Sequence, residues 1–193
     1  MKRIGLFVAI GICSTGASAV AFAEGFEVPA VEGSEKILTP AERAASVKKH
    51  AGDLLAFASE SWSLGLAAVG ESRIYEATRA ASQAKGKALS TENAARSLAV
   101  EAATAAQSLR AAGCVQAALH LDYVKNRAEH SRSLAERAQP SADRAARSFS
   151  VDAVKIHMNQ ALDLLEEAVS ASFAAVTHAD AANKEMARAE GCL

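Results

Sequence analysis

Residues 141–190 read SADRAARSFSVDAVKIHMNQALDLLEEAVSASFAAVTHADAANKEMARAE, a stretch without a single glycine or proline. Within it Val151, Val154, Met158, Leu162, Leu165, Val169, Phe173 and Val176 recur every three or four positions, the spacing of one helix face. Asp152, Lys155, Asn159, Asp163, Glu166 and Ser170 trace the opposite face. Gln139-Pro140-Ser141 marks the entry: the residue before a proline avoids the helical region, and Ser141 is a suitable N-cap with Asp143 in the first turn. The pattern predicts a long amphipathic helix over 141–190, ended by Gly191.

The same reading extends backwards. Thr39-Pro40-Ala41-Glu42 combines a capping residue, a proline at the first helical position and a glutamate able to close a capping box. No further proline occurs before Pro140. Leu54, Ala58, Trp62, Leu66 and Val69 give a first apolar stripe, with Gly65 and Gly70 read as places where another helix comes close. Gly86 ends that helix, and Ser90 or Thr91 starts the next with Glu92 in its first turn. Leu98, Ala102, Ala105, Leu109 and Ala112 form its stripe, which Ala117, Leu121, Val124, Ala128, Ala135 and Ala138 resume beyond Gly113. Gly113 reads either as a C-cap or as a kink inside one long helix; the absence of a polar turn cluster favours the kink. The expected fold is all-α: an elongated antiparallel three-helix bundle with coiled-coil-like helices over about 39–86, 90–138 and 141–190, each roughly 70 Å long.

Composition agrees. Of 193 residues 50% are hydrophobic but only 5% aromatic, because 47 are alanine, the best helix former and a poor strand former. The net charge of -1, with signs well mixed, points to neither nucleic acid nor an anionic membrane surface.

Residues 1–23 have the layout of a secretory signal peptide: Met1-Lys2-Arg3, then an apolar run to Ala21-Phe22-Ala23, a small-x-small cleavage site before Glu24. Residues 24–38, with Pro29, Gly33 and Ser34, read as a flexible linker. No second long apolar run follows, so no integral membrane span is expected after cleavage. Cys114 and Cys192 remain in an exported chain, where cysteines normally pair. With a turn at Pro140, however, the two would differ by about 40 Å along the bundle, so no bond between them is expected.

Catalytic sets are missing. None of His50, His120, His130, His157 and His178 stands four positions from another, and no glutamate precedes one by three, so helical zinc and di-iron signatures are absent. No Gly-x-Ser-x-Gly elbow, haem-attachment motif or phosphate loop occurs. His50 near Asp53 and His178 near Asp180 are spaced to pair locally, but the histidines read as solvated side chains on polar faces, Glu166-Glu167 as a solvated face and Trp62 as a core or helix–helix contact. The expectation is no catalytic, cofactor-binding or metal-binding residue, hence no enzyme and no cofactor.

Ala23-Glu24-Gly25 and Ser61-Trp62-Ser63-Leu64-Gly65-Leu66, set in an exported alanine-rich helical chain, resemble the alanine-rich helical-bundle surface proteins of trypanosomes, which include coat proteins and the haptoglobin–haemoglobin receptor. The resemblance implies a cell-surface coat or receptor-like role. Such proteins are usually anchored by lipid at a C-terminal signal; Gly191-Cys192-Leu193 departs from that pattern, and no ligand-binding residue carries over. The expected function is therefore a non-enzymatic exported or cell-surface bundle, extracellular or periplasmic, that binds a protein partner or itself. The alternative is a bacterial periplasmic helical protein holding a small ligand or metal between its helices.

Overall fold

The structure, a computed structural model, describes residues 38–188. The expected signal peptide and nearly all of the expected linker lie outside them. The described residues hold four helices and no strand: α1 (Pro40–Gly70), α2 (Ile74–Ala111), α3 (Val115–Ala146) and α4 (Val151–Arg188). All-α is right, and three helices is a correction to four. Each helix packs on two neighbours, α1 on α4 as well as on α2, while the diagonal pairs scarcely meet. Cross-links fix the directions: Lys85 meets Asp143 and Arg110 meets Asp122, so α2 and α3 run antiparallel. Gly65 meets Leu162 and Ala44 meets Asn183, so α1 and α4 do too.

The start of α1 follows the capping box. Thr39 Oγ1 accepts from Glu42 N at 3.2 Å, and Thr39 N donates to Glu42 Oε2 at 2.8 Å, with Pro40 at the first turn. The other boundaries move. The first helix stops at Gly70 and Glu71-Ser72-Arg73 forms the turn; the expected break near Gly86 falls inside α2. Gly113 is a true terminator: its φ is +80°, Cys114 N donates to Leu109 O at 2.8 Å and Gly113 N to Arg110 O at 3.0 Å. That is a Schellman ending, which requires the left-handed conformation glycine tolerates. Pro140 does not turn the chain but lies on the exposed side of α3. A proline there costs the ladder one hydrogen bond on the solvent side, and buried Ala138, Ala142 and Ala145 hold the helix to the core on either side. The turn comes instead at 147–150, where Ser150 Oγ accepts from Ala153 N at 3.2 Å and caps α4.

This register also removes the ground for separating the cysteines. Cys114 is disulfide-bonded, and Cys13 and Cys192 both lie outside the described residues. The turn at 147–150 brings Cys114 into one core cluster with Ala182 and Met186, so the turn at Pro140, from which the axial gap was deduced, is not there.

The core has two apolar clusters. One holds Leu54, Leu98, Leu109, Leu121, Val124 and Met186; the other holds Val154, Met158, Leu165 and a lining of alanines. Between them each helix contributes one fully buried hydroxyl: Ser61, Thr91, Ser131 and Ser172. All are satisfied. Ser61 donates to Ala84 O at 2.9 Å and Thr91 to Lys87 O at 2.9 Å. Ser172 donates to Ala168 O at 2.7 Å and lies 3.0 Å from Ser131 Oγ.

Small residues at this waist displace the expected stripes. In α1 the buried line runs Ala58, Ser61, Gly65, Ala68, leaving Leu66 exposed and Trp62 half-buried against the second cluster. In α4 it runs Ala168, Ala171, Ala175, Ala179, and Phe173 stands outside. Ala112 is likewise exposed beyond the end of α2.

Candidate functional site

With so much alanine inside, several large apolar side chains stand outside. On α2, Tyr75, Leu89 and Val100 are 69%, 48% and 66% exposed. Their spacings of 14 and 11 residues are close to whole numbers of turns, so they share one outward line. Ser82, Gly86, Asn93 and Thr104 complete that line without a charge, and Arg79 and Arg96 flank it.

Beside Val100 the surface dips into a groove of about 330 Å³ between α2 and α3. Ala99, Val100 and Ala103 give it an apolar floor; Arg96, Lys125 and Arg132 give it a cationic rim, with Glu129 the one acid among its lining residues. Arg96 is held by Glu92 at 2.9 Å, and Lys125 lies 3.9 Å from Glu129. Arg132 Nε is buried with no hydrogen-bond partner among the described residues. An apolar floor under a basic rim suits an amphipathic segment with acidic flanks.

Three of the five histidines, His120, His130 and His178, meet partners where α3 packs on α4. His120 Nδ1 and His178 Nδ1 are 3.4 Å apart, although 58 positions separate them in sequence. Tyr123 stacks on His178 with ring centroids 4.9 Å apart. Burial pushes the His178 pKa below its ordinary value, and the neighbouring His120 and Arg127 push the same way. Further along, His130 Nε2 meets Glu167 Oε1 at 3.2 Å.

The local pairings that the spacing allows do not form, and His50 and His178 are not simply solvated: each ring meets a partner on another helix. His50 turns to Glu101 of α2 at 2.5 Å rather than to Asp53, and His178 turns to α3 rather than to Asp180. Asp180 Oδ1 lies 2.8 Å from Lys48 Nζ, close enough for an ion pair but outside hydrogen-bond geometry. Glu166 and Glu167 are exposed. Among the described residues no group of three or more His, Cys, Asp or Glu side chains converges as a metal site. Sequence spacing within one helix could not reveal His120–His178, because the pairing depends on the register between two helices.

Compared with family models, curated proteins and solved structures, the chain shows no match.

Proposed function

We propose that this chain is a non-enzymatic exported or cell-surface helical bundle that binds a protein partner along α2. The partner presents an amphipathic helix: its apolar side meets Tyr75, Leu89 and Val100, and its acidic flank meets Arg96, Lys125 and Arg132. The observation that carries this reading is the outward line of α2, uncharged along its length, on which Tyr75, Leu89 and Val100 stand exposed and which runs beside the basic-rimmed groove. An uncharged line with apolar side chains every three or four turns, flanked by basic residues, suits a long amphipathic helix laid along it. Export is supported by the signal-like residues 1–23 and by the disulfide at Cys114, since such bonds persist in oxidising compartments. The trypanosome resemblance points to the same class of role.

The test is site-specific photo-crosslinking on cells that express the full chain. A crosslinker at Val100 should capture a discrete protein, and Arg132→Glu should weaken that capture. A crosslinker at Asn159, on the outer side of α4, should capture none. Equal capture from both positions, or none from Val100, overturns the reading.

A further inference from the structure

We propose that His120 of α3 and His178 of α4 form a two-histidine binding site for a late first-row transition-metal ion, with copper(II) held most tightly. The site lies where α3 packs on α4 and does not depend on the partner-binding reading of α2.

The argument begins with distance. Imidazole nitrogens bind zinc at about 2.0–2.1 Å, so two of them on one tetrahedral ion are separated by roughly 3.3–3.4 Å. The two Nδ1 atoms are 3.4 Å apart. Between neutral rings that separation is a long N–H···N hydrogen bond, and it also matches the edge of a coordination tetrahedron.

The rings are also set up to face each other. Their centroids are 5.7 Å apart, longer than the nitrogen separation by about two imidazole radii, so each Nδ1 lies near the line joining the rings. An ion about 2.05 Å from both nitrogens sits about 1.1 Å off that line, so each ring must turn around χ2 by about 30° to aim its Nδ1 lone pair at it. That torsion is broad for histidine. Tyr123 stacks on His178 and limits how far its ring turns.

The other helix-bridging histidines are occupied differently. His50 is held by Glu101 and His130 by Glu167. His120 and His178 meet each other instead, with no carboxylate hydrogen-bonded to either among the described residues. Two protein ligands leave the remaining positions to water or an outside ligand, so the ion exchanges and is not a fixed structural part. Copper(II) heads the affinity order for nitrogen sites; its tetragonal preference places neighbouring nitrogens about 2.8 Å apart, so the two rings must close by about 0.6 Å to hold it, whereas Zn²⁺ fits the separation as it stands. Arg127 acts electrostatically on His178 and opposes a bound cation, so it weakens the site.

The test uses the full oxidised chain and Cu²⁺ or Zn²⁺ alone as probe, titrated against a competing chelator. Wild type should take up one Cu²⁺ at this site and bind Zn²⁺ more weakly. His120→Gln and His178→Gln should each reduce Cu²⁺ affinity at least tenfold, while the double variant His50→Gln/His130→Gln should not change it. Arg127→Gln should tighten binding. Electron paramagnetic resonance of wild type with one equivalent of Cu²⁺ gives a readout independent of any variant, and should show two imidazole nitrogens. Unchanged affinity and stoichiometry in His120→Gln/His178→Gln overturns the proposal, as does a wild-type spectrum without two imidazole nitrogens or no Cu²⁺ uptake at millimolar concentration.

Discussion

Gly65 of α1 sits against Leu162 of α4 so closely that a Cβ on the glycine would lie 2.8 Å from Leu162 Cδ2 and 3.1 Å from Met158 Cε. The missing side chain sets the approach of the two helices. Gly52, in the same helix, has nothing within 4 Å of the corresponding position. The pair therefore separates helix propensity from packing. Gly52→Ala should stabilise the protein by about 0.5–1 kcal/mol. Gly65→Ala gains the same propensity but must displace the ends of the Leu162 and Met158 side chains, which offsets that gain, so it should be less stable than Gly52→Ala. Urea denaturation of both variants checks the contrast; equal stabilisation would show that α4 yields without cost.

Pro140 interrupts the hydrogen-bond ladder of α3 on its exposed side. A proline in a helix interior costs about 3 kcal/mol, less where water satisfies the freed carbonyl. Pro140→Ala should raise stability by about 1–3 kcal/mol and leave helical content by circular dichroism nearly unchanged. A fall in stability would mean that the proline sets a bend the core needs.

Asp143 on α3 is clamped between Lys85 of α2, at 2.5 Å, and Arg147, at 3.1 Å. The hydrogen bond from Lys85 is the largest influence on its carboxyl, which is held below its ordinary pKa although partial burial opposes the shift. A carboxyl depressed in the folded state adds stability above its unfolded pKa of about 3.9 and loses it as pH falls through the folded value. The stability difference between wild type and Asp143→Asn should be constant near neutrality and shrink below about pH 4. Chemical denaturation at a series of pH values measures it, and a difference that does not change with pH would show that the clamp adds nothing through charge.

The disulfide at Cys114 ties the α2–α3 turn to a residue outside 38–188. Cys114→Ser should lower stability by about 2–4 kcal/mol, and a reductant should bring wild type down to the level of the variant. Peptide mapping without reduction identifies the partner; Cys192 is the outcome that agrees with removal of residues 1–23, and Cys13 the outcome that contradicts it. A melting temperature insensitive to reductant would show that the bond closes no loop that matters to folding.

How much of this was legible depends on where the determining interaction lies. The capping box at Thr39 and Glu42 is local, and it forms as the sequence suggests. So are the stripe Leu98, Ala102, Ala105, Leu109 and the stripe through Leu121, Val124 and Ala128, all of which are buried. The chain offers two serine caps with an aspartate two residues on, Ser141-Ala-Asp143 and Ser150-Val-Asp152; Pro140 favours the first, and burial of Ala138, Ala142 and Ala145 decides for the second. The turn at 71–73 has almost no local signature, since Arg73 starts α2 without a side-chain cap. Gly65 and Gly70 look alike in sequence, yet only Gly65 meets another helix. The waist hydroxyls and the facing histidines arise from pairing between helices, which periodicity along one helix does not encode.

The count of helices has a mechanical meaning. With three, the backbone would enter the bundle at one pole and leave at the other, bridging whatever it joined. With four, it returns: Asn183 Nδ2 donates to Ala44 O at 3.2 Å, so the first turns of α1 lie beside the last turns of α4. Residue 38 and residue 188 therefore share a pole, and the turns at 71–73 and 147–150 occupy the far one. Phe149, fully exposed there, sits at the tip. A tether joined to either end holds the bundle by its base and leaves that tip pointing away from the attachment.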